Sequence, residues 1–151
     1  MNTYNAINDI LVSLFNEINH IEESAVITEE FKDISLNDMH IINAIGIREK
    51  RSMSAVANDL SVTVGTLTTA INSLMKKGYV RRSRSEKDRR VVLLSLSAKG
   101  RRAYQHHAAF HEEMVNATVS TLDDEEQRVL SDALSNLSEF FRTYPGEKNQ
   151  P

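Results

Sequence analysis

The chain has 151 residues, 40% of them hydrophobic and 26% charged, with a net charge of −3 and no cysteine. That size suits one domain, or one domain plus an oligomerisation extension, and the lack of thiols excludes disulfides, thiol redox switches and thiolate metal sites. The opening MNTYNAINDI lacks the basic-then-apolar layout of a signal peptide, and no apolar run approaches the roughly 18 residues of a membrane span, so a soluble cytoplasmic protein is expected.

Residues 5–23 read as a helix, because Ile7, Ile10, Leu11, Leu14, Phe15, Ile18 and Ile21 recur at three- and four-residue spacing and share one face. His20 falls on the opposite side. Ser35 reads as the cap of a second helix, Leu36–Ile45, with Asp38 completing an imperfect capping box. Met39, Ile41, Ile42 and Ile45 make that helix apolar on more than one side, the pattern of a helix sandwiched between two layers, and Gly46 suits its end. A short helix capped by Ser52 carries Val56 and Leu60. After the turn Ser61–Val62, Thr63 caps a helix Val64–Lys77 whose stripe is Val64, Leu67, Ile71 and Leu74, closed by Gly78. Two helices, the first short, joined by a turn of a few residues have the spacing of a helix-turn-helix.

Tyr79–Arg84 and Arg90–Leu96 read as strands around the polar SEKD, a β-hairpin. Ser97 then caps a helix over about 98–119, and Thr121 caps a last one over about 122–143 with Asp123, Asp124, Glu125 and Glu126 in its first turn. The stripe of the last helix is Leu130, Ala133, Leu134, Leu137, Phe140, Phe141 and Tyr144, and the tail after Pro145 is expected to fray. The fold class is therefore mainly α with a small β-hairpin, and a hairpin directly after a recognition helix is a wing. The implied organisation is an N-terminal dimerisation helix in 1–34, a winged helix-turn-helix in 35–97 and C-terminal dimerisation helices in 98–151.

Charge is unevenly placed. Lys76–Arg90 holds eight Lys/Arg against Glu86 and Asp88, a net of +6 in a chain of net −3, so the remainder sums to −9. Clustered cations suit a polyanion such as double-stranded DNA, where each neutralised phosphate releases condensed counterion. The outer side of the 64–77 helix offers Gly65, Thr66, Thr69, Asn72, Ser73 and Lys76, with Thr63 and Thr68 beside them: small donors and acceptors with one cation and no carboxylate. Such a face enters a major groove without like-charge conflict. From the wing, Arg82, Arg84, Lys87, Arg89 and Arg90 add charge; an Arg on a narrow hairpin can enter the minor groove. Asp88 is expected to bond turn N–H groups or to fix a neighbouring Arg.

The run LSVTVGTLTTAINSLMKKGYVRRSRSEKDRRVVLLSLSAKG resembles the winged helix-turn-helix of the MarR family of bacterial regulators. Its matching features are the Leu-x-x-x-Gly-Tyr-Val close of the recognition helix, Asp88-Arg89-Arg90 in the wing, and Leu96-Ser97-x-Lys99-Gly100 after it; Ser97 stands where members usually have Thr. Within the family, FKDIS (31–35), Met39-His40, VTVGTLTT (62–69) and RSEKDRRVV (84–92) are most similar to the fatty-acid-synthesis repressors of Gram-positive bacteria. That resemblance implies a homodimer with interlocking first and last helices, and a long acyl group on acyl carrier protein as corepressor. The wide apolar stripes of the terminal helices independently call for a partner surface. Two recognition helices then lie about one DNA turn apart and read a palindrome.

The family's ligand cleft lies between the dimer helices and the DNA-binding lobe. Candidates here are Leu11, Leu14, Phe15, Ile18, Met39, His40, Ile42, Phe110 and Met114, either an apolar cleft for an acyl chain or a filled core. No cofactor is required on this reading. A rival rests on His107 and His111, four apart on the inward stripe of one helix, with His40 from another and a carboxylate such as Glu22. That set can hold zinc tetrahedrally, and zinc-sensing members of the family look like this. Buried, hydrogen-bonded histidines are the other account. His106 is expected to face outward. Three classes stay open: an acyl-responsive repressor, a zinc-responsive repressor of the same fold, and an interaction protein that has left DNA. An enzyme is not expected, since no phosphate-cradling Gly-rich loop or nucleophile–base grouping is present and the acids read as caps and solvent faces.

Overall fold

The computed structural model describes residues 2–26 and 28–145; the tail expected to fray lies, from residue 146 on, outside the described residues. Among the described residues six helices and three short strands follow in order: α1 (Thr3–Val26), α2 (Leu36–Ile45), β1 (Arg51–Ser52), α3 (Met53–Asp59), α4 (Val64–Lys76), β2 (Val80–Arg84), β3 (Val92–Leu96), α5 (Ala98–Val119) and α6 (Asp124–Thr143). The chain divides into two compact units, Met1–His111 and Glu112–Pro151, so the division falls inside α5.

In the first unit the caps do what their chemistry allows. Ser35 accepts from the Asp38 amide while Asp38 accepts from the Ser35 amide, a complete capping box rather than the imperfect one expected. Ser52 caps α3 and Thr63 caps α4, each accepting an amide three residues on. Gly46 takes the positive φ, 71°, that ends α2. Between α3 and α4 the turn places Ser61 at φ 55°, a left-handed conformation that lets its short connection close.

The sheet is antiparallel in the order β1-β3-β2, with Arg51 opposite Leu94 and Val80 opposite Leu96. β1 is a third strand that hairpin patterning did not reveal. The hairpin strands are also shorter than expected, beginning at Val80 and Val92. Met39, Ile42, Ile45, Val56, Leu67, Ile71, Leu74, Tyr79 and Leu94 are essentially inaccessible and form one core under α2, α3, α4 and the sheet. α2 is buried on several sides, as its all-round apolar pattern implied.

Gly100 is a packing requirement. A Cβ there would overlap the Tyr79 carbonyl oxygen, so only glycine lets the first turn of α5 lie against the end of α4. Ser97 locks the same seam: its hydroxyl reaches the Gly78 and Tyr79 carbonyls and accepts from the Gly100 amide. In the second unit α6 is capped by Asp123, with Glu126 closing the box, instead of by Thr121. A carboxylate accepting two amides, from Glu125 and Glu126, is the stronger cap. Among the described residues no helix is long and apolar enough to cross a membrane.

Both terminal helices leave apolar side chains in the open. On α1 these are Tyr4, Ile7, Ile10, Leu14, Phe15 and Ile21, and on α6 Val129, Leu134, Phe140, Phe141 and Tyr144. Phe140 stacks obliquely on Phe141 and Tyr144, making an aromatic strip at the end of α6.

Candidate functional site

α4 buries Leu67, Ile71 and Leu74 and turns Gly65, Thr66, Thr69, Asn72 and Lys76 outward, with Thr68 and Ser73 on its flanks. The exposed face has no carboxylate, and the bare N-terminal amides of the helix add partial positive charge. Thr63 is exposed at the cap. Next to α4, Arg82 on β2 donates to the Asn72 side-chain oxygen at 3.4 Å, orienting the amide.

The wing turn is organised by one acid. Asp88 accepts from the Arg90 amide at 3.1 Å and from its guanidinium at 3.0 and 3.1 Å, which holds the Asp88 carboxyl below its usual range and anchors Arg90. Arg84 donates to the Arg89 carbonyl at 2.9 Å, bracing the other side of the turn. The Lys87 and Arg89 side chains are exposed and make no hydrogen bond among the described residues. Asp88 therefore has the local role expected for it, and the spare cations project from a fixed turn.

Across the first unit lies a second polar centre. Glu22 of α1 is buried, and one of its oxygens, Oε1, lies 2.7 Å from Nε2 of His107, 3.1 Å from that of His111 and 3.4 Å from that of His40. Burial pushes the Glu22 carboxyl up, but the three imidazoles outweigh it and leave it below its usual value. His107 is pushed down, first by its burial. The His107 and His111 Nε2 atoms are 3.0 Å apart, so they cannot both aim an N–H along that line, whereas either can donate to the shared Glu22 oxygen. Donor atoms of Glu22, His107 and His111 lie within 4.8 Å of one another, the grouping a divalent cation needs. Among the described residues Nδ1 of His107 is buried without a partner, so the usual outer acceptor for a metal-bound imidazole is not seen on that ring. The histidines named from sequence thus converge, and the carboxylate among them is Glu22, no solvent-face acid.

His106 does not face outward. It is half-buried with Nε2 2.7 Å from the Ala25 carbonyl and its ring against Phe31. Phe31 also touches Tyr79, whose hydroxyl donates to Asp33 at 2.6 Å. Lys99 sits 4.5 Å above the Tyr79 ring and 3.8 Å from Asp33. This link between the 28–35 connection and the end of α4 was not foreseen; the FKDIS run carried its residues, but nothing local marks their partner.

The residues expected to line an effector cleft differ in burial. Met39 and Ile42 are fully buried core, Leu11 and Ile18 half-buried, Leu14 and Phe15 exposed, and Phe110 lies against the His111 ring. Met114 belongs to the second unit. A cavity of about 740 Å³ lies elsewhere in the first unit, between the end of α2, the 46–50 loop, the start of α3 and Tyr104, and none of the first unit's candidates lines it.

Residues 24–106 match the family described as transcriptional regulator SarA/Rot. The chain belongs to that family. The regulator is 35% identical over 97 residues to the transcriptional regulator ZitR of Lactococcus lactis subsp. cremoris, covering 62% of this chain and 67% of that one. It is 43% identical to FabT of Streptococcus pneumoniae, a structure solved in complex with DNA, covering 92% of this chain and 97% of that chain with a TM-score of 0.82. A MarR family transcription regulator of known structure, 12% identical, shares the fold at a TM-score of 0.72 over 92% of this chain and 89% of that one. The regulator is thus a MarR-type winged-helix, DNA-binding transcription factor and not an enzyme.

Proposed function

We propose that the protein is a homodimeric repressor of fatty-acid or lipid synthesis genes that reads a palindromic operator in the cytoplasm. The observation that carries the operator-binding part is the acid-free outer face of α4 beside a wing whose Lys87 and Arg89 are held out by the Asp88–Arg90 clasp. α4 enters the major groove and the wing the minor groove, and the exposed apolar strips of α1 and α6 are covered by a second copy. The 43% identity to FabT over nearly the whole chain, and the resemblance to fatty-acid-synthesis repressors, support the lipid role and an acyl chain on acyl carrier protein as effector.

A second reading is favoured by the convergence on Glu22. Glu22, His40, His107 and His111 would hold zinc, which would supply a positive charge binding α1, α2 and α5 together. The donor set fits: borderline imidazole nitrogens plus one carboxylate already below its usual pKa. The unpartnered His107 Nδ1 is the departure from a finished site.

The two readings separate in one experiment. Fluorescence anisotropy on the protein's own promoter DNA and on random DNA is run with the chelator-treated protein, then with long-chain acyl carrier protein, then with zinc. Tightening by acyl carrier protein alone supports the lipid effector. A response to zinc alone, lost in His107→Ala but retained in His20→Ala, moves the assignment to metal. Equal affinity for promoter and random DNA under every condition refutes the operator reading.

A further inference from the structure

The first two turns of α4 carry a glycine that the fold does not require. Gly65 lies in regular helix without a positive φ, and a methyl group there would meet no neighbouring side chain nearer than Thr63 Oγ1, at 4.0 Å. Glycine is the poorest helix former short of proline, so alanine would be the better residue by every internal criterion. Nothing inside the fold calls for glycine at position 65, and its missing side chain leaves the α4 surface open there.

Its neighbours shape what such an opening can hold. Thr68 donates its hydroxyl to the Val64 carbonyl at 2.7 Å, Thr69 to the Gly65 carbonyl at 3.4 Å, and Thr63 to the Thr66 hydroxyl oxygen at 2.9 Å. With those hydroxyl hydrogens spent on the chain itself, Thr68 and Thr69 present methyl groups and oxygen lone pairs. Val62 and Val64, 40% and 46% exposed, flank the same end. The surface is a shallow gap at Gly65 rimmed by methyls. In the major groove the complementary group is the thymine C5-methyl, and the spare lone pairs suit the adenine amino group of the same pair.

We infer that the N-terminal half of α4 reads thymine methyl groups, with Gly65 providing the close approach and the Thr69 methyl the contact. The inference rests on the operator-binding reading above and specifies what that operator contains.

The test uses the full-length protein, an operator selected from a random DNA pool, and anisotropy titrations in which each half-site thymine is replaced in turn by deoxyuridine, which removes only the methyl. At least one position per half-site should weaken binding by about fourfold per methyl removed. Thr69→Ser should show a similar loss on thymine and no further loss on uracil there. Gly65→Ala should melt about 2–4 °C higher yet bind the operator at least roughly tenfold more weakly. A protein that selects an operator but binds its thymine and uracil forms equally overturns the inference alone. So does a Gly65→Ala protein with parental affinity. Failure to select any sequence overturns this inference and the operator reading together.

Discussion

Replacing Tyr79 by Phe isolates one oxygen in a fully buried ring. The hydroxyl donates to Asp33 at 2.6 Å, while the ring's packing against Phe31 and Lys99 is untouched by the substitution. A hydrogen bond to a charged acceptor contributes about 1.5–3 kcal/mol. The Asp33 side chain is 43% exposed and keeps Lys99 3.8 Å away, so water and the ammonium recover part of that; the expected loss is about 1–1.5 kcal/mol. For a chain of this length it corresponds to a melting temperature lower by about 2–5 °C. The pH dependence identifies the source. The Tyr79 hydrogen bond is the main cause holding the Asp33 carboxyl below its ordinary value, with Lys99 assisting and burial opposing. The unfolded chain therefore binds that proton more tightly than the folded one. The contribution is complete above the unfolded carboxylate value near 3.9 and is lost as pH falls through the lower folded value. Melting curves at one fixed protein concentration should show a constant gap between parent and Tyr79→Phe from pH 7 to about pH 5, closing in stronger acid. Equal stabilities at pH 7, or a gap that persists unchanged at about pH 2, would refute the assignment of the energy to this bond.

Arg89→Ala removes an exposed wing cation whose side chain makes no hydrogen bond among the described residues. Folding and dimerisation should be unchanged while the salt dependence of operator binding falls by about 0.9 for each phosphate that Arg89 neutralises, read from titrations at several salt concentrations. An unchanged slope would remove the wing from the interface. Gly100→Ala should lower stability by roughly 3–5 kcal/mol, because the new Cβ overlaps the Tyr79 carbonyl; thermal melts check it, and a parental melting temperature would show that the seam can open freely.

The helix-turn-helix was legible because its signals are local: Ser52 and Thr63 announce their helices, and Leu67, Ile71 and Leu74 fix which side of α4 faces inward. What escaped depended on distant partners. β1 is two residues long, and only pairing with Leu93 and Leu94, some forty residues on, makes it a strand. The sequence offers Glu22 as one possible partner of the histidines, but its burial against His107, 85 residues on, depends on α5. His106 was misplaced for a related reason: α5 is covered over a wider arc than its stripe suggests, by the end of α1 and Phe31. Thr121 yielded the α6 cap to Asp123 because a run of four acids offers several competing caps, and spacing alone does not rank them.

The Ser97–Gly100 seam has a mechanical consequence. Because one hydroxyl and one missing side chain fasten the base of the hairpin to the first turn of α5, the wing cannot tilt on its own; it follows that helix as a pointer follows its axle. From Tyr79 to Ser85, where the turn begins, the extended chain reaches roughly 20 Å, so a 5° rotation at the seam sweeps the turn by roughly 1.7 Å. That is a large fraction of the spacing between phosphates along the duplex axis, enough on the proposed operator reading to carry the Arg89 charge from one set of phosphates towards the next. On the proposed operator reading, small rotations of α5 would change the grip at the far end of the hairpin.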